Sequence, residues 1–206
     1  MMWKIPHLSK SIGVNKCLPM KIAILGWGSL ITERGELPVT GDWQTGGPVI
    51  PIEFSRISQR GVRAGCLTLV IDPINGAPVS TQFITSSRNV LDESIIDLGK
   101  RERSNQSRIG FINLRTDTVQ TWAHTQHPSA CQTIRRWAIQ QGFDAIVWTA
   151  LTSNFEEVYK QPFSVATALE YLKNLDPKTR ASAVEYIRRT PETTQTPFRT
   201  EATCLF

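Results

Sequence analysis

The chain has 206 residues, 40% hydrophobic and 20% charged, which excludes a disordered or coiled-coil protein and allows one domain with a sizeable core. The formal net charge is +5, but three of the 23 basic residues, Lys4, Lys10 and Lys16, lie in residues 1–19, which contain no acidic residue. The other 20 basic residues face 18 acidic ones, and this balance argues against a nucleic-acid-binding protein.

Residues 1–19 lack the apolar segment of a secretory signal, and no apolar run in the chain approaches the roughly 18 residues of a membrane helix. The four cysteines are widely scattered without a Cys-x-x-Cys pair, which favours free thiols in a cytoplasmic protein. Met20 precedes the first strand as a translation start would, so we expect residues 1–19 to form a flexible tail outside the fold.

The first predicted element is a short apolar run, Ile22 to Leu25, that ends in Gly26-Trp27-Gly28-Ser29-Leu30. Apolar runs of this length that stop at glycine predict a buried strand. Glycine lets the backbone approach a ligand closely, so the turn can present several N–H groups to a carboxylate, a phosphate or an oxyanion. Residues 32–48 are rich in glycine and proline and are expected to be irregular.

Three further strands are predicted at residues 49–58, 65–71 and 79–85. In the first of these, the residues expected to face the core are Ile50, Ile52, Phe54 and Ile57. Apolar residues at three- and four-residue spacing then predict a helix that begins after an N-cap at Ser86 or Ser87 and runs into Lys100-Arg101-Glu102-Arg103.

The second half of the chain is predicted to be mainly helical. A hairpin of residues 109–114 and 118–123, a helix at 129–141 and a strand at 143–151 precede two amphipathic helices after Ser164. Residues 190–206 are rich in threonine and proline and are expected to be irregular. Because strands lie mainly before the first long helix and helices mainly after it, the pattern predicts an α+β fold.

The glycine turn is similar to the start of a dinucleotide-binding unit, but three features argue against that interpretation. Ile31 stands at the third glycine position, and Gly35 and Pro38 leave no room for the helix that should follow. Glu53, the acidic residue at about the right distance, lies inside a predicted strand and not at its end.

Residue spacing also argues against a serine nucleophile and against a metal site. A nucleophile at Ser29 lacks the G-x-S-x-G context and a histidine at a recognisable distance. His124, His127 and Cys131 have the spacing H-x2-H-x3-C, but they fall beside Pro128 without a fourth ligand. A solvated loop, with Cys131 as a small apolar filler, is the favoured interpretation, and no metal site is predicted.

The turn and a second stretch together resemble the γ-glutamylcyclotransferase family and its ChaC-like and AIG2-like relatives. In that family a GSL motif, usually preceded by tyrosine, follows the first strand directly, as Gly28-Ser29-Leu30 does here. The family also carries a glutamate at the end of a helix, in a setting like Leu-Asp-x-Arg-Glu, before a strand that begins with Gly-Tyr. The corresponding stretch here is Leu98-Gly99-Lys100-Arg101-Glu102, followed by Gly110-Phe111.

The resemblance implies both a fold and a reaction. The implied fold is a domain at residues 20–160 built on a small mixed β-barrel with flanking helices. The C-terminal helices do not map onto the family, and residues 161–206 are expected to pack on this domain as a C-terminal helical extension. The implied reaction releases 5-oxoproline from a γ-glutamyl peptide or amine by attack of the α-amine on the γ-carbonyl, with no cofactor. Glutathione, γ-glutamyl amino acids and γ-glutamylamines all remain open as substrates.

The resemblance also implies the site residues. Glu102 is the expected general acid/base, with Glu93 as the alternative. The expected substrate-binding residues are Gly26, Trp27, Gly28, Ser29, Leu30 and Ile31. Trp27 and Phe111 stand where relatives have tyrosines, which removes two hydroxyls. Without the resemblance, the charged run around Glu102 would be interpreted as a solvated helix end.

Two features stay open on sequence grounds. Arg56 is either an edge residue of its strand or a clamp for a carboxylate. The segment Thr149 to Phe155 follows a strand and could line the pocket. The competing hypothesis for the whole protein is a non-catalytic module on the same fold that binds a small acidic ligand, or a partner through its C-terminal helices.

Overall fold

The computed structural model describes residues 18–205, so nearly all of the expected tail, residues 1–19, lies outside the described residues. The described part of the chain contains the strands β1 Ile22–Gly26, β2 Val39–Gln44, β3 Val49–Ile57, β4 Leu67–Ile71, β5 Ala77–Ser80, β6 Gln82–Ser86, β7 Ile109–Asn113, β8 Thr118–Val119 and β9 Ala145–Thr149. Its helices are α1 Ser29–Thr32, α2 Leu91–Glu102, α3 Thr121–Gln126, α4 Pro128–Gln140, α5 Phe155–Tyr159, α6 Val165–Asn174, α7 Pro177–Arg189 and α8 Pro197–Leu205. The predicted α+β class is confirmed.

The first strand lies inside a six-stranded sheet with the order β2-β6-β1-β9-β7-β8. It pairs antiparallel with β6 and parallel with β9. All five of its residues are buried because Ile22 and Ile24 face one hydrophobic cluster while Ala23 and Leu25 face another. A continuous apolar run fits a strand that is covered on both faces, so the prediction of a buried strand is confirmed.

Strands β4, β3 and β5 form a separate antiparallel sheet with β3 in the middle. The residues of β3 predicted to face the core are all at most 3% exposed, which confirms them: Ile50, Ile52, Phe54 and Ile57. The strand pairing among residues 18–205 gives two sheets and no closed barrel, so the expected β-barrel is not confirmed.

The prediction of one strand at residues 79–85 is wrong, because the chain passes from one sheet to the other at Thr81. β5 ends at Ser80 in the three-stranded sheet, and β6 begins at Gln82 in the six-stranded sheet. The buried Thr81 hydroxyl donates to the Pro48 carbonyl at 2.9 Å, and the Thr81 carbonyl accepts the Gly47 N–H at 3.0 Å. The segment where the chain passes between the sheets, residues 79–85, contains neither glycine nor proline. The sequence therefore gives no turn signal at Thr81, and the two strands look like one.

Helix α2 forms where the apolar spacing predicts it and ends at Glu102, which is followed by Arg103 in the left-handed conformation with φ 49°. Its N-cap is Val90, so the prediction of Ser86 or Ser87 in that role is wrong. The Ser86 hydroxyl lies 2.9 Å from the Ser94 hydroxyl on the buried face of the helix.

Part of the stretch predicted to be irregular is ordered, because β2 lies within residues 32–48 as an edge strand against β6. It is mostly exposed, so it lacks the apolar run by which strands are recognised. The glycine turn is also followed by one helical turn, α1, contrary to the expectation that no helix can follow it. The predicted second hairpin strand shortens to β8 and gives way to α3.

The two predicted C-terminal helices are confirmed as α6 and α7, but the expectation of an irregular tail is wrong because α8 follows them. Phe198 of α8 is fully buried, and its ring centroid lies 5.6 Å from that of Phe54 in β3. All three helices contribute residues to the hydrophobic cluster that covers β3 and β4. None of the helices in residues 18–205 combines the length and the apolar character needed to cross a bilayer.

Candidate active site

A cavity of about 940 Å³ is lined by residues from both sheets. The glycine turn after β1, Arg56 of β3, Leu69 of β4 and Thr149 of β9 form much of its wall. The end of α2 around Glu102 and Tyr186 of α7 also line it. A cavity of this size accommodates a small-molecule ligand.

Six of the seven residues predicted for the site line this one cavity: Gly26, Trp27, Gly28, Ser29, Leu30 and Glu102. Ile31 is not among the lining residues; its side chain packs close to Gly26. Glu93, the alternative acid/base, is exposed on α2 and does not line the cavity. The fold therefore brings the glycine turn and Glu102 together although they are far apart in the sequence.

In the glycine turn the backbone N–H groups are available to a ligand, whereas two of the carbonyls already accept hydrogen bonds from the residues that follow. The N–H groups of Gly28, Ser29 and Leu30 have no acceptor within residues 18–205. The Gly28 and Ser29 carbonyls accept from the N–H groups of Ile31 at 2.9 Å and Glu33 at 2.8 Å. The free donors give the turn the character of a site for an anionic or carbonyl oxygen.

Position 28 has little space for a side chain. A Cβ atom there would lie 3.1 Å from Leu69 Cδ1 and 3.3 Å from the Tyr186 hydroxyl oxygen. A side chain at this position would thus press on two residues of the cavity wall.

Arg101 joins the end of α2 to the glycine turn. Its guanidinium donates to the Ser29 carbonyl at 2.9 Å and to the Glu33 carbonyl at 2.6 Å. The same group donates to the Glu102 carboxylate at 2.7 Å. Arg101 therefore fixes the position of Glu102 relative to the turn.

Glu102 is not part of a solvated helix end. Its side chain is 18% exposed and accepts the hydrogen bond from Arg101 inside the cavity. Burial raises the pKa of Glu102 above its ordinary value, although the positive charges of Arg101 and Arg63 act in the opposite direction. A carboxyl with a raised pKa can exchange a proton closer to neutral pH than an exposed glutamate.

Sequence reasoning missed Tyr186 and Arg63, which also contact the turn. The Arg63 guanidinium donates to the Ser29 hydroxyl at 3.1 Å and lies 4.8 Å from the centroid of the Tyr186 ring. Burial raises the pKa of Tyr186 to about 12, so its hydroxyl is protonated at neutral pH. The only signal for Tyr186 in the sequence was its position three residues after Ala183, on the apolar face of a predicted helix. No pattern in the sequence marked Arg63.

The cavity is rich in positive charge away from Glu102. Among the described residues that line it, seven are basic and four are acidic. Arg56 is half-buried on the wall, where its guanidinium donates to the Thr152 carbonyl at 2.8 Å. Thr149 and Leu151, from the segment considered for the pocket, also line the cavity.

Trp27 and Phe111, at which the resemblance leads to the expectation of tyrosines, have different surroundings. Trp27 is 6% exposed, lines the cavity and belongs to the hydrophobic cluster around β3 and β4. Its carbonyl accepts a hydrogen bond from the Thr194 hydroxyl at 2.8 Å. Phe111 packs against the other cluster and does not line the cavity.

The residues with metal-ligand spacing are dispersed. His124 is exposed, while His127 is buried as the N-cap of α4, so the expected solvated loop is wrong for His127. Cys131 is buried on α4, as expected of an apolar filler, and burial raises the pKa of its thiol to about 11. In the described part of the chain, no three histidine, cysteine, aspartate or glutamate side chains gather where they could hold a metal ion.

Comparisons with protein-family models, with curated proteins and with solved structures gave no match to this chain. Its function is therefore argued from the sequence pattern and from the geometry of the cavity.

Proposed function

We propose that this protein is a γ-glutamylcyclotransferase-like enzyme that releases 5-oxoproline from a γ-glutamyl peptide or amine without a cofactor, and that it acts in the cytoplasm. The observation that carries the proposal is that Glu102 and the glycine turn line the same cavity. These are the two elements on which the resemblance to that family rests. We also propose that the two sheets correspond to the family's small mixed β-barrel.

In the proposed reaction, Glu102 accepts a proton from the α-ammonium group of the γ-glutamyl substrate, because only the neutral amine is nucleophilic. The amine nitrogen then attacks the γ-carbonyl carbon, and a ring C–N bond forms. The original amide C–N bond breaks as the proton held by Glu102 passes to the departing nitrogen. The ring nitrogen gives its second proton to the freed Glu102 carboxylate, which passes it to the released amine, so that the products are the lactam N–H of 5-oxoproline and an ammonium group. The raised pKa of Glu102 suits a group that both accepts and returns a proton.

The glycine turn supplies the other requirement, stabilisation of negative charge. As the amine attacks, the carbonyl oxygen becomes an oxyanion, and the unused N–H groups of Gly28, Ser29 and Leu30 are suitable donors for it. The protonated hydroxyl of Tyr186 lies beside Gly28 and is a further donor. Trp27 forms an apolar wall next to these donors.

The test is Glu102→Gln, which keeps the size of the side chain but cannot act as a base. We expect it to lower 5-oxoproline release by about 10²–10⁴-fold, the range typical of general acid–base catalysis, while binding of the γ-glutamyl compound persists. Glu93→Gln, on the exposed face of the same helix, is the matched control and should leave the rate unchanged. If the wild type turns over none of a panel of γ-glutamyl peptides, amino acids and amines, the enzymatic proposal is wrong.

One observation favours the second candidate, a non-catalytic module that binds a small acidic ligand. The Glu102 carboxylate is already engaged by Arg101 at 2.7 Å, an arrangement that also suits a purely structural ion pair. In that case Glu102→Gln changes ligand affinity and no γ-glutamyl compound is consumed by the wild type. The turnover panel therefore separates the two candidates.

A further inference from the structure

Two arginines that the proposed chemistry does not use, Arg56 and Arg108, line the same cavity. Arg56 is held by a hydrogen bond to the Thr152 carbonyl at 2.8 Å. Arg108 is held by stacking, with its guanidinium carbon 3.5 Å from the centroid of the Trp122 ring. Both partners are neutral, so they position the guanidinium groups without cancelling their charge.

The two positive charges are not neutralised by a direct ion pair in the part of the chain that the structure describes. Neither Arg56 nor Arg108 forms an ion pair with an acidic residue among residues 18–205. Three of the four acidic residues that line the cavity are engaged by other arginines: Glu33, Asp97 and Glu102. Burial and the nearby charge of Arg108 lower the pKa of Arg56, and the charge of Glu157, which does not line the cavity, opposes them with a smaller effect than either.

We propose that Arg56 and Arg108 form a second binding subsite of the cavity, which takes a group with two negative charges, either a phosphate or a pair of carboxylates. Two fixed guanidinium groups bind such a group well because each offers parallel N–H donors to its oxygens. In a cavity whose other part holds the γ-glutamyl group, this subsite receives the part of the substrate that departs. Only that last assignment rests on the proposed function.

The subsite also excludes substrates. A γ-glutamylamine with a neutral or cationic departing part leaves the two arginine charges without a counterion, at a cost that a dianionic group removes. The favoured substrates are therefore γ-glutamyl compounds whose departing part is dianionic.

Unreactive probes test the subsite without any turnover. A glutaryl group is a γ-glutamyl group without its α-amine, so glutaryl amides cannot cyclise. The probes are N-glutaryl-ethanolamine, N-glutaryl-phosphoethanolamine and N-glutaryl-aspartate, which offer a neutral group, a phosphate and two carboxylates. Isothermal titration of the full chain should give at least about tenfold tighter binding for one or both charged probes than for the neutral probe.

The matching variants are Arg56→Gln and Arg108→Gln, each compared with Arg136→Gln, which changes the net charge equally at an exposed position on α4. We expect the first two to bring the affinity for the charged probe down to that for the neutral probe. Arg136→Gln should leave the ratio unchanged. Which charged probe binds more tightly distinguishes a phosphate from a pair of carboxylates.

Equal affinities for all three probes, or a charge preference that survives both cavity substitutions, would overturn the subsite. The γ-glutamyl counterparts of the same probes then separate this inference from the proposed function. A charge preference in binding without release of 5-oxoproline keeps the subsite and removes the enzymatic proposal. If 5-oxoproline is released at the same rate whatever the charge of the departing group, the proposed enzymatic function stands and the dianion subsite is wrong.

Discussion

Tyr186 brings a hydroxyl to the glycine turn, in which Trp27 occupies the position where the resemblance to the γ-glutamylcyclotransferase family leads to the expectation of a tyrosine. A Cβ atom at Gly28 would be 3.3 Å from this hydroxyl oxygen, so the group lies directly beside the turn. Burial raises its pKa to about 12, which keeps it a hydrogen-bond donor throughout the neutral range. The fold thus brings a hydroxyl of α7 close to Gly28.

The consequence is testable with Tyr186→Phe, which removes only the hydroxyl. Under the proposed function, we expect kcat for 5-oxoproline release to fall at least about tenfold with little change in KM, because the lost donor would act on charge that develops during the reaction. The matched control is Tyr171→Phe on α6, whose hydroxyl donates to the Gly65 carbonyl at 2.6 Å outside the cavity lining. That control should cost about 1 kcal/mol of unfolding free energy and leave kcat unchanged. Equal kcat values for the wild type and Tyr186→Phe would remove the role of the hydroxyl.

At this scale the sequence could predict residues that belong to a contiguous motif. The turn was recognised from its glycines and Glu102 from the family resemblance, and both line the cavity. Arg63 and Tyr186 were not recognised, because their place beside the turn depends on contacts between distant segments. No local pattern distinguishes a tyrosine that fills the core from one whose hydroxyl reaches a cavity.

Among the elements, the pair β7 and β9 shows how one residue can be dictated by its neighbour across a sheet. Gly110 of β7 lies directly opposite Trp148 of β9, and Trp148 is fully buried. A Cβ atom at Gly110 would be 2.4 Å from Trp148 Cε2, so the indole ring occupies the space of a side chain. The glycine is therefore required for packing, independently of its place in the motif that suggested the family.

Gly110→Ala should destabilise the protein by roughly 1–3 kcal/mol, because the buried indole must move. Gly99→Ala is the opposite case, since a Cβ atom there would meet its nearest neighbour, the Ser104 carbonyl oxygen, at 3.5 Å, an ordinary contact. Gly99 lies in the last turn of α2, where alanine should stabilise the protein by roughly 0.5–1 kcal/mol through helix propensity. Urea denaturation of both variants measures the two effects, and changes of the same sign would contradict this account.

The elements that the sequence predicted correctly carry their signal in their own residues. β1 is a continuous apolar run, and α2 has an apolar stripe. The signals for α8 and for the crossover at Thr81 lie elsewhere in the chain. α8 forms in a segment rich in threonine and proline because Phe198 packs on β3, and Thr81 ends a strand through its bond to Pro48. Local propensity is overridden in both places by tertiary contacts.

On the scale of the whole molecule, the last helix is attached to the middle strand of the three-stranded sheet by a buried carboxylate. Glu53 of β3 is fully buried and accepts from the Thr196 hydroxyl at 2.5 Å and from the Phe198 N–H at 3.3 Å. Arg199 adds bonds to the carbonyls of Thr190 and Thr194, which fix the segment before α8. Burial raises the pKa of Glu53, although the hydrogen bonds that its carboxylate accepts from Thr196 and Phe198 favour the charged form.

The raised pKa of Glu53 predicts a specific dependence of stability on pH. The folded state holds the proton more tightly than the unfolded state, so this group's contribution is fully present below the unfolded pKa and is lost as pH rises through the folded pKa. Glutamine does not titrate, so Glu53→Gln does not lose unfolding free energy in this way as the pH rises. The stability of the variant relative to the wild type should therefore increase from pH 4 to pH 8 in urea denaturation.

Glu201→Gln, at an exposed position of the same α8, is the control for charge on the helix. Its stability curve should run parallel to that of the wild type over the same pH range. A Glu53→Gln curve that also runs parallel would mean that Glu53 titrates alike in the folded and unfolded chain.

The pairing of β1 with β9 has a consequence for synthesis on the ribosome. β1 is among the first described segments to be made, but its parallel neighbour, starting at Ala145, is made more than a hundred residues later, and Tyr186 later still. Until then the apolar β1 has an open edge, and the cavity lacks the walls supplied by β9 and α7. The six-stranded sheet and the cavity can therefore be completed only after β9 and α7 have been synthesised. Such late pairing makes folding slow and leaves the apolar strand in need of protection until translation is nearly finished.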